Sequence, residues 1–257
     1  MKTYYFPLIF GTIEDEYEMH ENVRLLEEIF LNKGCTFYFV RHGQTYFNLY
    51  RRMQGWSNIQ LTEEGSEDVR RSGRGLAEVQ FDAVYTSDLN RTIETAGLIL
   101  EENKCGEALE IQAMPEFREV FFGSFEGLDV DEVWESINEV MGYPSVAELW
   151  AEATVPEQMN ATKEADPYHH AENYLEFWSR IEKGLLTLID KHRDTGDKVL
   201  VVAHGNTIRY MLNGLVPELD NPQPLLNASV SKVSYYEGRY HLECYNEIDH
   251  FKDLEKD

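Results

Sequence analysis

Two short apolar runs, residues 36–40 (TFYFV) and Lys198–Ala203 (KVLVVA), constrain most what this chain can fold into. Neither alternates polar with apolar residues, so neither suits a strand with one wet face. Both read as strands buried on two sides, the habit of parallel sheets. A third run, residues 84–86, follows the turn-like Phe81-Asp82 and precedes polar Ser87-Asp88. A helical pattern comes after each run. Thr62 is placed to cap a helix expected to reach about Glu78, with Glu63 and Glu64 in the first turn, where carboxylates favour the helix dipole. Residues 91–101 give a second helix, and Tyr174, Trp178, Ile181, Leu185 and Leu188 form the apolar stripe of a longer one. Alternation of this kind predicts an α/β fold: a three-layer, open, mostly parallel sheet flanked by helices, with right-handed crossovers. Residues 229–236 and 239–245 flank Glu237-Gly238 and read as a hairpin at or near the sheet edge.

What remains divides the chain. Residues 1–35 form an N-terminal extension of unknown role in which only 23–31 has helical periodicity, and residues 36–257 form the main domain. Within it, residues from about 129 to 170 are rich in aromatic groups and carboxylates, and read as an acidic insertion folding over the sheet. A formal net charge of −24 over 257 residues repels nucleic-acid backbones and anionic membranes, so neither is an expected partner. Cys35, Cys105 and Cys244 are odd in number and form no CxxC pair, which suggests neither a disulfide framework nor a zinc site. No run approaches the ~20 apolar residues that span a bilayer. A cytoplasmic location is the expectation.

Both long strand runs end in histidine followed by glycine: Arg41-His42-Gly43 and His204-Gly205, the latter followed by Asn206-Thr207 at a helix start. Arg91 opens the helix after the 84–86 strand. Parallel neighbours deliver these groups to one rim, at the carboxyl ends where open α/β sheets bind ligands. Two imidazoles, two guanidinium groups and helix N-terminal amides suit a dianionic phosphoryl group, with one imidazole nitrogen attacking phosphorus in line.

The stretch Arg41-His42-Gly43-Gln44-Thr45, with Asn48 and Gln54-Gly55-Trp56, resembles the RHG signature of the histidine phosphatase superfamily. Ser87-Asp88-Leu89, Arg91-Thr92 and Thr95-Ala96 are similar to its second block. Phe117-Arg118-Glu119 with residues 123–127 (GSFEG) resembles its acidic block, and Ala203-His204-Gly205-Asn206 its last. The resemblance, closest to the first branch, implies a phosphoglycerate mutase-like fold and a phosphohistidine formed on His42. It implies further that Arg41, Arg91 and His204 hold the phosphoryl oxygens, that Asn48, Gly55 and Asn206 line the substrate pocket, and that Glu119 is the proton donor. No metal or cofactor is expected, and the partner is a small phosphorylated substrate.

Three functions stay open at this point: a phosphatase, a cofactor-dependent phosphoglycerate mutase, and a non-catalytic binding module. The last should have lost a reactive group, and none is missing. A mutase holds a highly anionic bisphosphate, yet between Glu126 and Glu176 Lys163 is the only Lys or Arg. That segment also lacks the extended basic, tyrosine-containing block of such mutases. Phosphatase is the favoured expectation. His169, His170 and Glu172 are weaker candidates for the pocket mouth, and His20, His192, His241 and His250 read as structural or solvated.

Overall fold

The computed structural model describes residues 34–254. The helix expected over 23–31, and His20, lie outside them. In chain order the elements are β1 (Cys35–Arg41), α1 (Tyr46–Leu49), α2 (Glu63–Gly75), β2 (Ala83–Thr86), α3 (Asn90–Glu102) and β3 (Ile111–Ala113). Then come α4 (Val130–Met141), α5 (Val146–Glu152), α6 (Val155–Ala165) and α7 (Tyr174–His192). The chain ends with β4 (Lys198–Ala203), α8 (Gly205–Leu215), β5 (Val230–Tyr236) and β6 (Arg239–Glu247).

The strands form one six-stranded sheet in the order β3-β2-β4-β1-β5-β6. The two runs singled out by their unbroken apolarity, β1 and β4, are its parallel centre. Side chains of successive residues point to opposite faces, and the core divides accordingly. Phe37, Phe39, Val199 and Val201 pack under Phe177, Ile181 and Leu188 of α7 and Ile208 of α8. Tyr38, Val40, Leu200 and Val202 pack under Val69 of α2 and Ile99 of α3. Three layers result, because both faces of the central strands are apolar and each must be covered. The hairpin adds the only antiparallel pairings in this sheet, β5 against β1 and β6 against β5.

Three local expectations need correction. Helix α2 ends at Gly75 rather than near Glu78: Leu76 turns its N–H back on the carbonyls of Ser72, Gly73 and Arg74, and Asn103 Nδ2 takes the carbonyls of Leu76 and Val79, which a continuing helix would need. Strand β3 was unread, since three residues at a sheet edge, two of them exposed, carry no periodicity. In α7 the inward stripe centres on Phe177, fully buried, with Trp178 only partly so.

The segment expected as an insertion holds three short helices, each with its own start signal. Asp129, Ser145 and Thr154 stand at the N-caps of α4, α5 and α6, Asp129 accepting from Asp131 N–H and Ser145 from Glu148 N–H. Gly142 ends α4 in the left-handed region at φ +76, where a Cβ is disfavoured. After α6, Asp166 accepts the N–H groups of Tyr168, His170 and Ala171, closing the turn toward α7.

Candidate active site

Strand register decides where the chemistry sits. Arg41 pairs with Ala203 at the last rung of β1 and β4, so His42 and His204 leave adjacent strands side by side. The rings lie 5.2 Å apart between centroids, at 63°. Both are buried, His204 completely. His42 Nδ1 lies 2.8 Å from the Gly43 carbonyl. A carbonyl only accepts, so Nδ1 carries the proton and Nε2 keeps its lone pair. Burial, then the charges of Arg91 and Arg41, hold the His42 imidazole well below its ordinary range. The ring is therefore neutral at physiological pH. His204 is shifted the same way, by burial first and then by Arg91. Its Nε2 lies 2.8 Å from Ser87 Oγ, and its Nδ1 has no partner among the described residues.

Arg91, 1% exposed, donates to the carbonyls of Gly55 at 2.7 Å and Ser57 at 2.9 Å. Burial lowers its pKa to about 10, which leaves it charged at neutral pH. Gly55 does not line the cavity; it anchors Arg91. A Cβ there would come within 2.4 Å of the Val120 carbonyl, so the close approach requires glycine. Glu126 fixes this loop from beneath by accepting the N–H groups of Trp56 and Ser57. Arg41 is half-buried and donates from Nη1 to the Leu225 carbonyl, while Nε has no partner among the described residues.

Glu119 is 5% exposed and sits on the N-terminus of α8, accepting Asn206 N–H at 3.1 Å and Thr207 N–H at 2.9 Å. Those helix amides were expected to face a phosphoryl group. Here they hold the Glu119 carboxyl group, whose oxygens satisfy N–H groups that the first turn of a helix leaves unpaired. Arg180 of α7 fixes the segment carrying Glu119 from behind, with all five N–H groups engaged: two on Glu172 at 2.6 and 2.7 Å, the rest on the carbonyls of Glu116, Arg118 and Glu119. Arg118 meanwhile forms a two-pronged pair with Asp88, at 2.7 and 2.5 Å.

These groups surround a cavity of about 180 Å³ at the strand ends. Arg41, His42, Asn48, Gln54, Glu119, Gly205 and Asn206 form its polar floor; Arg91 and His204, both buried, are not among its lining residues. The Asn48 side-chain oxygen accepts from Thr45 N–H and from Asn227 Nδ2, which leaves its nitrogen for the cavity. Gln54 is oriented by Thr45 Oγ, which donates to Oε1 at 2.6 Å, and its Nε2 has no partner among the described residues. The walls are apolar: Phe122, Val130, Trp134, Trp150 and Leu225. Trp134 and Trp150 come from α4 and α5 and meet edge to face at 4.9 Å. The acidic segment thus presents an aromatic face to the cavity, while Glu132, Glu135, Glu139, Glu148 and Glu152 are exposed.

Arg52, a basic residue outside the 129–170 segment, lines the mouth. Asn227, outside the matched motifs, was missed; it donates to the His42 carbonyl at 3.0 Å. Gln54 was visible within the RHG stretch; Asn227, Arg180 and the two tryptophans carry no sequence signal. Glu172 proves to be the buried partner of Arg180, neither at the pocket rim nor a helix-dipole partner, while Asn173 caps α7. His169 and His170 are exposed and do not line the cavity. His192 bridges Tyr85 and Asp197, His250 meets Ser72, and His241 stacks on Tyr236. Among the described residues no helix is long and apolar enough to cross a membrane.

The sequence pattern of the histidine phosphatase superfamily (branch 1) matches residues 37–248. The chain is 31% identical over 220 residues to the 2,3-bisphosphoglycerate-dependent phosphoglycerate mutase of Methylorubrum extorquens, covering 85% of this chain and 94% of that one. It is 28% identical to the uncharacterized phosphatase PhoE of Bacillus subtilis, over 82% of this chain and 94% of the other. Among solved structures, a phosphoglycerate mutase from Bacillus anthracis is similar with a TM-score of 0.80 at 32% identity, covering 86% of this chain and 97% of that one.

Proposed function

Because the chain belongs to branch 1 of the histidine phosphatase superfamily, we propose that it is a phosphatase that hydrolyses a phosphate monoester through a phosphohistidine on His42. The observation that carries the reading is a set of buried nitrogens without partners among the described residues, close to a neutral imidazole: Arg41 Nε, Arg91 Nε, Gln54 Nε2 and His204 Nδ1. Leaving a buried donor unsatisfied costs about 1–3 kcal/mol. An oxyanion in the cavity would remove that cost for Arg41 and Gln54, which line it.

In the first half-reaction His42 Nε2 attacks phosphorus, the P–N bond forms, and the bond to the ester oxygen breaks. Glu119 gives its proton to the departing alkoxide, which is a poor leaving group without one. In the second, water attacks the phosphohistidine, its proton passes to the Glu119 carboxylate, and the P–N bond breaks to return neutral His42. Arg41 and Arg91 offset charge on the transferring group. Both His42 and Glu119 line the one cavity, as this division of labour needs.

Hydrolysis is favoured over mutase transfer by the mouth. Beyond the floor, Arg52 is its one cation among the described residues, 44% exposed and 3.9 Å from Asp129, and the remaining walls are aromatic or aliphatic. An acceptor bearing both carboxylate and phosphate needs fixed cations to stay while water is excluded. The test is a screen of phosphate esters for released phosphate, alongside 3-phosphoglycerate with 2,3-bisphosphoglycerate. Release that is absent in His42→Ala, with an acid-labile phosphate on His42 in the intact protein, supports the reading. Phosphate trapped on Ser, Thr or Asp, or mutase turnover exceeding release on every ester, overturns it.

A further inference from the structure

The catalytic cavity, at about 180 Å³, has room for a phosphoryl group and little more; sites that enclose a whole small molecule run from about 300 to 1,000 Å³. Beside it lies a second, more open cavity of about 490 Å³. The two share Val130, Trp134 and Trp150, so the tryptophan pair is a common wall rather than a partition at a distance. Val146 and Ala147, at the start of α5, line the second cavity and not the first.

We propose that this second cavity is the subsite for the alcohol portion of the substrate, and that it takes an uncharged, planar or apolar group extending past the tryptophan pair from the phosphate on His42. The inference rests on the catalytic cavity being the phosphate site. Aromatic walls reward planar apolar matter with buried area and with edge or offset ring contacts. Charge is poorly served there. Arg51 is the cation of this cavity, and its guanidinium pairs with Asp131, 2.5 Å away, itself a lining residue. Glu135 adds a further negative group. A second phosphate or carboxylate on the substrate would therefore meet acid without a free counter-charge. The wall shared by the two cavities supplies the commitment to substrate rather than to a protein partner, since a group that leaves the catalytic cavity past Trp134 and Trp150 meets the second one.

The experiment compares phenyl phosphate with 4-biphenylyl phosphate, whose leaving groups are of similar acidity but differ by one ring, using the full chain. The longer ester should have the higher kcat/KM, by about tenfold, which is ~1.4 kcal/mol. Ala147→Glu sets a charge on the lining of the second cavity from an exposed position in the first turn of α5, where glutamate suits the helix. It should bring the ratio of the two values back toward one. Tryptophan fluorescence titrated with phenylphosphonate and 4-biphenylylphosphonate gives a second readout that needs no turnover. Biphenylyl binding that is tighter, and lost in Ala147→Glu, supports the subsite even if no ester is hydrolysed; in that case the phosphatase reading fails alone. Equal affinities for the two phosphonates, or a ratio unmoved by Ala147→Glu, overturn the subsite.

Discussion

Across one cavity the protein holds its groups in two different ways. On the floor, His42 and Glu119, and just behind it Arg91 and His204, are each buried and fixed by polar contacts to backbone or neighbouring side chains, in segments that follow strand ends. On the wall, Trp134 and Trp150 sit on short helices and are held by packing against each other and the core behind them. Hydrogen bonds are directional and a buried one left unmade is costly, so floor positions admit few residues. Packing is not directional, and cores accept swaps that conserve volume. The floor is therefore specified residue by residue, whereas the wall is specified as a surface, and only the wall is free to follow a change of substrate.

The sharpest way to break this contrast is at Glu119. Glu119→Gln should slow alkyl phosphates by roughly 10²–10⁴-fold, the usual worth of general acid catalysis, and 4-nitrophenyl phosphate far less, because nitrophenolate hardly needs a proton. Equal losses on both esters, measured as kcat, would demote Glu119 to a shaping role.

A smaller effect is expected one layer back. Arg180→Met leaves Glu172 buried without its cation and frees three carbonyls on the segment carrying Glu119. Breaking such a pair costs about 3 kcal/mol of stability or more, to be read from urea unfolding. If Arg180 positions Glu119, the kcat loss should again be larger for alkyl than for nitrophenyl esters. A loss equal for both, with the same drop in stability, would make Arg180 structural only.

The floor also sets a pH dependence. Burial holds His42, His204 and His250 below their ordinary imidazole values in the folded state. As pH falls below about 6.5 the unfolded chain takes up protons that these rings refuse when folded, so stability is lost from there downward and is level above it. Between about pH 7.5 and pH 5.5 Tm should fall by roughly 10 °C, given about 1.4 kcal/mol per ring and pH unit and the ~2–4 °C per kcal/mol typical of this size. His204→Asn should flatten the slope; an unchanged slope would mean that the buried rings are not its source.

The smallest effect belongs to the mouth. Arg52→Gln removes an exposed cation 3.9 Å from Asp129, so KM for a monoester with an uncharged alcohol portion should change by about threefold or less, in keeping with the ~0–1 kcal/mol of exposed charge contacts. A far larger rise in KM for 3-phosphoglycerate alone would mark Arg52 as an acceptor site and shift the balance toward a mutase.

The same contrast explains what could be read from the chain beforehand. The central strands and the polar groups at their ends were legible because strand, turn and helix start lie within about ten contiguous residues, so pattern and chemistry coincide in the sequence. Residues 36–40 and 41–43 are the clearest instance. Helices α4 to α6 were read only as an insertion, since their short lengths and mixed charge leave little periodicity. Arg180 acts on carbonyls some sixty residues away, and Asn227 on one 185 residues away. No local pattern encodes contacts of that separation. Gln54 lay inside a motif that had been noticed, but only the fold places its amide nitrogen among unsatisfied donors.

The seating of Glu119 on the first turn of α8 has an evolutionary side. His204 is the N-cap residue of that helix, so, in the proposed mechanism, the imidazole beside His42 and the group supplying the proton are fastened to one rigid body. A shift of α8 carries both together and preserves the spacing between them. Neither can be retuned by a single substitution without disturbing the other. Changes that redirect the enzyme to new esters should therefore accumulate in α4 and α5, and a laboratory lineage selected for a different alcohol should reach its goal with residues 204–207 untouched.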